Sequence, residues 1–243
     1  MRPLARALVV VVLAGSTVMI SGTRPPAPAD DVGPARLDPD RFTTRIDNPF
    51  WPMAPGSRWV YRESGTAGDD HRVEVTVTDR TATVLGIEAR VVRDVVFEQG
   101  RPREVTDDWF VQDLQGNLWQ LGEMSQEFPG GEDSAAGSWR AGVDGAQPVL
   151  VLPAHPGPGT VYRQTDAVVQ VLTADTTAKV PYGSFDRVLV TQELGSREPD
   201  QVEHEFYARG IGPILAVTVS GGSGREELVG FEAARTGDTA TGR

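Results

Sequence analysis

Apolar and polar residues alternate along most of this chain with a period of two. The pattern is clearest in four segments rich in β-branched residues: VEVTVTD at 73–79, RVVRDVVFE at 90–98, DRVLVTQEL at 186–194 and ILAVTVSGG at 214–222. Such alternation is typical of β-strands with one buried face, and the clusters of Gly, Pro and Asp between the segments are typical of turns. No segment keeps a helical period. The sequence therefore predicts an all-β protein of antiparallel strands.

The strand pattern also repeats within the chain. Three pairs of stretches match in one order: APGSRWVYRE at 54–63 with GPGTVYRQ at 157–164, GIEARVV at 86–92 with GSFDRVL at 183–189, and VTDDWF at 105–110 with VEHEFY at 202–207. We predict an internal duplication of a unit of about five strands. Its halves would span 48–123 and 157–231, joined by a long loop at 124–156. Two such antiparallel meanders would bury their apolar faces as a barrel, a half-barrel or a sandwich. Chance similarity between short β segments is the alternative.

The N-terminus has the pattern of a secretory signal. Arg2 and Arg6 precede an apolar run, which small residues and the triplet APA at 27–29 follow as a cleavage-like step. We expect the segments to be a signal peptide at 1–29, a linker at 30–45, a single β domain at 46–232 and a disordered tail at 233–243. This predicts a secreted or extracytoplasmic envelope protein whose mature chain has no transmembrane segment. An uncleaved N-terminal membrane anchor is the alternative, although the apolar run is short for a spanning helix.

Charge and composition argue against several classes of function. The net charge of −11 would repel nucleic acids and anionic membrane surfaces. The chain has no cysteine, which excludes disulfides and thiolate metal sites. His71, His155 and His204 lack the spacing of a metal site, and GGSGR at 221–225 falls short of a nucleophile elbow. The sequence thus indicates no catalytic residue, no metal ligand and no cofactor.

The stretch DDWFVQDLQGNLWQLGE at 107–123 predicts a β-hairpin that carries two tryptophans and several acids. Gly116 provides the turn chemistry. The second half of the chain keeps the aromatic pair but not the acids, so we interpret the aromatics as architectural. We expect Asp108, Asp113 and Glu123 to be solvent-facing turn acids. A calcium loop is the first alternative, but Gln115 and the position of Gly116 break its pattern. The second alternative is a site in which Asp108 and Glu123 are the carboxylates of a hydrolase.

The remaining apolar features favour a binding role. The long loop contains Trp139 and the run PVLVLP at 148–153, which favour burial, so the loop either caps the core or forms a lid over a cavity. We predict a non-enzymatic protein that binds an apolar or amphipathic ligand such as a lipid. The expected contact aromatics are Trp51, Trp109, Trp119 and Trp139. The alternatives are an envelope structural or interaction module with a filled core, and the hydrolase.

Four phrases of the chain are similar to those of a family of exported bacterial proteins, many of them lipoproteins, to which no activity is assigned. They are NPFWPMAPGSRWVY at 48–61, DWFVQDLQGNLWQLGE at 108–123, GSWRAGVDGAQP at 137–148 and EFYARGIGPI at 205–214. The family often has tyrosine where this chain has Phe50 and Phe110. This chain also lacks the lipobox cysteine, so the resemblance does not extend to a lipid anchor. It implies export and, at the level of fold alone, a similarity to β half-barrel carriers of lipid.

Overall fold

The structure is a computed structural model that describes residues 37–65, 70–128, 137–164, 167–194 and 201–234. Most of these residues belong to one antiparallel sheet, as the alternation predicts. Its strands are β1 (Phe42–Thr43), β2 (Arg58–Ser64), β3 (Asp70–Val84), β4 (Ile87–Glu98), β5 (Arg101–Asp113), β6 (Leu118–Glu127), β7 (Trp139–Arg140), β8 (Val149–Leu152), β9 (Val161–Gln164), β10 (Ala167–Val180), β11 (Gly183–Leu194), β12 (Val202–Ala208), β13 (Gly212–Ser220) and β14 (Arg225–Glu232). The predicted signal peptide at 1–29 and all but the first two residues of the predicted tail lie outside the described residues.

The strands follow one another in space almost as they do in the chain. Strands β2 to β6 form one meander, and β9 to β13 form another. Strand β14 joins the two meanders, because it pairs with β13 on one side and with β2 on the other. The short strands β7 and β8 both pair with β6, while β1 pairs with β5. Antiparallel neighbours need only short turns, so the Gly- and Asp-rich turns of the sequence are enough to produce this order.

The sheet curls until its two ends meet at β8 and β9. The Tyr162 hydroxyl on β9 donates to the Val151 carbonyl oxygen on β8 at 3.2 Å. The Gln164 side-chain amide donates to the same oxygen at 3.1 Å. No backbone ladder links β8 to β9 among the described strands, so the sheet is curled but not closed. We call the face inside the curl the inner face, and the opposite face the outer face.

A large apolar cluster fills one end of the inner face. The segment before β2 plugs this end, because Phe50, Trp51 and Met53 are each at most 4% exposed. Trp51 packs against Phe110 of the first meander, with 5.8 Å between ring centroids, and against Tyr207 of the second at 6.3 Å. The core therefore lies where the two meanders face each other.

A second, smaller apolar cluster lies on the outer face of β4 to β6. Val111 and Leu121 pack there beneath Trp139 and neighbouring residues of the segment after β7, with Leu37 and Phe42 at its margin. The cover comes from regions that the sequence pattern assigns to a linker and a loop. Residues 39–43 instead form a 3-10 turn and β1, and 124–156 contain the end of β6 as well as β7 and β8. Apolar burial explains this regular structure.

Both meanders carry a register shift at corresponding places. The ladder between β5 and β6 shifts between Trp109 and Phe110, and the ladder between β12 and β13 shifts between Phe206 and Tyr207. These are the aromatic pairs that the internal sequence match aligns. The duplication stays a prediction, and a bulge at matched residues is what a copied unit would retain, since bulges keep their positions within a family.

Candidate functional site

The end of the inner face opposite the plug is lined by carboxylates. They come from β2, β4, β5, β6, β11, β12 and β14, and we call them the inner acids: Glu63, Asp94, Glu104, Asp108, Glu123, Glu193, Glu203, Glu205 and Glu226. Strand register places them on one face, because Glu63 lies opposite Glu226 between β2 and β14, and Asp108 lies opposite Glu123 between β5 and β6. Alternate residues of a strand point to the same side. The inner face therefore has an apolar end and an acidic end.

Two of the buried inner acids, Asp94 and Glu226, lack hydrogen-bond partners within the described part of the chain. Asp94 is 2% exposed and Glu226 is 4% exposed, and both oxygens of each carboxyl group are without a partner. One oxygen of Glu63 and one of Asp108 are in the same state. Burying a charged carboxylate without compensation is costly, so such a group binds a proton, water or a cation.

Burial raises the pKa of these carboxyl groups. The pKa values of Asp94, Asp108 and Glu226 lie well above the ordinary range because of burial, and neighbouring carboxylates raise them further. Burial followed by the charges of nearby acids also raises the pKa of Glu63 to about 7 and that of Glu205 to about 8. The acidic end therefore retains protons near neutral pH, and a bound cation would displace them.

Two polar side chains contact the inner acids at opposite sides of this end. His71 on β3 is buried, with its Nδ1 3.8 Å from Oε2 of Glu63. The Gln120 side-chain amide on β6 donates to Oδ1 of Asp108 at 2.8 Å and to Oε2 of Glu123 at 3.2 Å. The amide thereby holds these two carboxyl groups as a pair.

Acids on the outer face are paired with arginine. Asp107 accepts hydrogen bonds of 2.8 to 2.9 Å from the guanidinium groups of Arg80 and Arg93. Glu227 likewise accepts from Arg62 and Arg225. Burial alone would raise the pKa of both carboxyls, but the arginine hydrogen bonds lower it below the usual value. The chain thus satisfies these two outer carboxylates with arginines of its own.

The structure separates the four tryptophans predicted as ligand contacts. Trp51 belongs to the inner cluster, whereas Trp109, Trp119 and Trp139 belong to the outer one. The Arg140 guanidinium lies 5.3 Å from the ring centroid of Trp109. These side chains do not form one surface, and contact between any of them and a ligand stays a prediction.

The expectation that the hairpin acids face solvent is wrong. Asp108 is fully buried and Glu123 is 1% exposed, because both occupy inward positions of strands rather than the turn. Asp113 is a turn acid but is also buried. Its Oδ1 accepts hydrogen bonds from the backbone amides of Gln115 and Asn117, so it stabilises the turn.

Sequence reasoning missed most of the inner acids. Asp94 gives the clearest signal, since Val92 and Val96 flank it at the alternate positions of RVVRDVVFE and both are buried with it. An acid in an inward row of valines marks either a functional group or a protonated one. His71, considered from the sequence only as a metal ligand, lies in β3 and is buried beside Glu63.

Comparison with known proteins assigns no family to the chain. No protein-family model and no curated protein sequence matches it. Two solved structures are similar to it at 11% sequence identity. One, described as a "putative exported protein with YmcC-like fold" from Bacteroides fragilis, has a TM-score of 0.43 over 76% of this chain and 99% of the other. The second, a "putative lipoprotein" from Parabacteroides distasonis, has a TM-score of 0.39 over 75% of this chain and 98% of the other.

Neither likeness carries a functional argument at these TM-scores, and the resemblance of the four sequence phrases to an exported family stays a prediction. The described residues contain no helix that is long and apolar enough to cross a membrane. They also contain no group of three or more His, Asp or Glu side chains placed to hold a metal ion.

Proposed function

We propose that this is an extracytoplasmic protein that binds an amphipathic ligand on the inner face of its curled sheet and does not transform it. The division of the inner face into an apolar end and an acidic end carries the proposal. Its location outside the cytoplasm rests on the signal-like N-terminus. An amphipathic molecule has a polar end for the inner acids and an apolar part for the adjoining core residues.

The burial of the inner acids supports entry from the acidic end. Glu104, Glu203 and Glu205 are half-buried, whereas Asp94 and Asp108 are almost completely enclosed. The exposed fraction of these carboxyl groups therefore falls from the open edge of the acidic end towards the interior of the curled sheet. A ligand entering there would meet carboxylates first and the apolar cluster last, so its polar part carries hydrogen-bond donors or positive charge rather than anionic groups.

Native mass spectrometry of the protein purified from its own host tests this proposal. We expect an adduct of constant mass that solvent extraction releases as an amphipathic molecule. Thr106→Tyr, which places a ring on the inner face between Asp94 and Ser125, should remove the adduct. Val105→Tyr, on the outer face of the same strand, should retain it. Wild-type protein without an adduct, or an adduct that survives Thr106→Tyr, contradicts binding at this site.

The Asp108–Glu123 pair supports a second candidate, a carboxylate-dependent hydrolase. The two acids are cross-strand neighbours joined by the Gln120 amide. Burial keeps the pKa of Asp108 well above its ordinary value, as a general acid at neutral pH requires. Chromogenic glycosides distinguish the candidates. Turnover by the wild type that Asp108→Asn abolishes would favour hydrolysis, and binding without turnover favours the first proposal.

A further inference from the structure

The ligand class can be narrowed from the chemistry of the inner acids, and this step rests on the proposed function. We propose that the polar end of the ligand is a linear aliphatic polyamine, with ammonium groups held by Asp94, Glu226 and Glu63. These residues lie on β4, β14 and β2, which are neighbours across β3 and at the junction of the two meanders.

The need for a cation comes from the unpartnered carboxylate oxygens. Asp94 and Glu226 are each more than nine-tenths buried, and neither has a hydrogen-bond partner on either oxygen within the described chain. An ammonium group has three donors and no acceptor, so it satisfies carboxylates without placing a second acceptor among them. Neutral hydroxyl ligands would satisfy the oxygens but would leave the carboxyl groups protonated, so they would gain no ion pairing.

The distribution of the acids favours several separated charges over one metal ion. The charge of Glu63 raises the pKa of Asp94, and the charges of both raise the pKa of Glu226. Glu203 and Glu205 on β12 raise the pKa of Glu226 as well. They form one coupled group, yet no three acids of the described chain converge to hold a metal. A chain of ammonium groups separated by methylenes matches charges that are coupled but spread out.

Apolar residues between the acids provide contacts for the methylenes. Ala216 lies on the inner face between Glu226 and Glu205, opposite both in the ladders. Val73 and Val96 pair with each other beside Asp94 and are buried. Carboxylates interleaved with small aliphatic groups reproduce the alternation of charge and hydrocarbon in a polyamine, which gives such a ligand apolar contact as well as ion pairing.

Isothermal titration calorimetry of the full chain with spermine tests the inference. We expect saturable binding with proton release, because ammonium groups displace protons from the inner acids, and affinity should be about tenfold higher at pH 8 than at pH 6. The observed heat should then vary with the ionisation enthalpy of the buffer. Octane-1,8-diol, a neutral aliphatic chain shorter than spermine, should not bind, whereas octane-1,8-diamine, which has the same length as the diol, should bind more weakly than spermine.

Matched variants locate the site. Glu226→Gln and Asp94→Asn should each weaken spermine binding about tenfold or more, since each removes a buried ion-pair partner. Glu227→Gln removes the same charge from the next residue of β14, but on the outer face, and should leave spermine affinity unchanged. Circular dichroism verifies that the variants fold. If either inner variant does not fold, Glu63→Gln replaces it with the same expected loss.

The outcomes separate this inference from the proposed function. Equal weakening by Glu226→Gln and Glu227→Gln would mean attraction to general surface charge and would overturn the inference. Absence of spermine binding would also overturn it, and an amphipathic adduct in the native mass spectrum would then leave the proposed function standing. Spermine binding that only the inner variants weaken supports the inference.

Discussion

Two pairs of adjacent acids, Asp107–Asp108 on β5 and Glu226–Glu227 on β14, show how far one step along a strand changes a carboxyl group. Asp107 and Glu227 point outward to arginines, while Asp108 and Glu226 point into the curl among other carboxylates. Successive side chains alternate between faces, so residues identical in type have opposite environments. Local sequence chemistry cannot distinguish the members of each pair.

We predict opposite effects of amide substitution on the two aspartates. Asp107→Asn should lower the free energy of unfolding by about 1–2 kcal/mol, a modest value because Arg80 and Arg93 are partly exposed. Asp108→Asn should leave stability unchanged or raise it, because it removes a carboxyl group that the fold disfavours in its charged form. Urea denaturation at pH 7.5 measures both. If Asp108→Asn lowers the free energy of unfolding more than Asp107→Asn does, the Asp108 carboxyl group stabilises the fold, and the prediction is wrong.

At the scale of elements, the register shift in β5 and β6 depends on the absence of a side chain at Gly122. A Cβ there would lie 2.6 Å from the Trp139 carbonyl oxygen and 2.8 Å from Cε3 of Trp109. The close approach lets β7 pair with β6 and lets the Trp109 ring cross the strand. Gly122 therefore allows both the register shift between β5 and β6 and the packing of β7 over the outer cluster.

Gly122→Ala should destabilise the protein by about 2–4 kcal/mol, because backbone and a packed ring would both have to move. Gly157→Ala is the matched control, since nothing lies within 4 Å of its added Cβ, and it should change stability by less than about 0.5 kcal/mol. Chemical denaturation of the two variants checks the difference. Equal stabilities would mean that β7 is displaced at little cost.

At the scale of the whole molecule, curling the sheet brings carboxylates from seven strands together and makes stability depend on pH in an unusual direction. The folded-state pKa values of Glu63, about 7, and Glu205, about 8, exceed the ordinary value of 4.5. The folded state therefore holds protons that the unfolded chain releases. Stability is full below about pH 4.5 as far as these groups are concerned, and it is lost as the pH rises through their folded pKa values.

We predict that the free energy of unfolding falls by a few kcal/mol between pH 5 and pH 8. Asp107 and Glu227, whose pKa values are lowered, act in the opposite sense only in more acidic solution. Urea unfolding at several pH values measures the slope, and Glu63→Gln should flatten it. A stability that increases from pH 5 to pH 8 contradicts the assignment of protonated inner acids.

The long strands could be predicted from the sequence, but the candidate site could not. Alternation in VEVTVTD and RVVRDVVFE identifies β3 and β4, and the turn at Gly116 separates β5 from β6 as expected. The hairpin acids were misplaced because Asp108 and Asp113 read alike in sequence, although only one of them lies in the turn. Burial of Trp139 was expected, but its place in the outer cluster depends on pairing with β6.

By itself, the sequence determined the local properties of this protein: the long strands, the turns between them and the alternation of side chains along each strand. Those properties follow from neighbours within a few residues. Tertiary structure alone decided that the sheet curls and that Asp94, Glu226 and Glu63 meet inside it. Their environment depends on strands distant in the chain, and electrostatic interaction between buried charges acts through space rather than along the sequence.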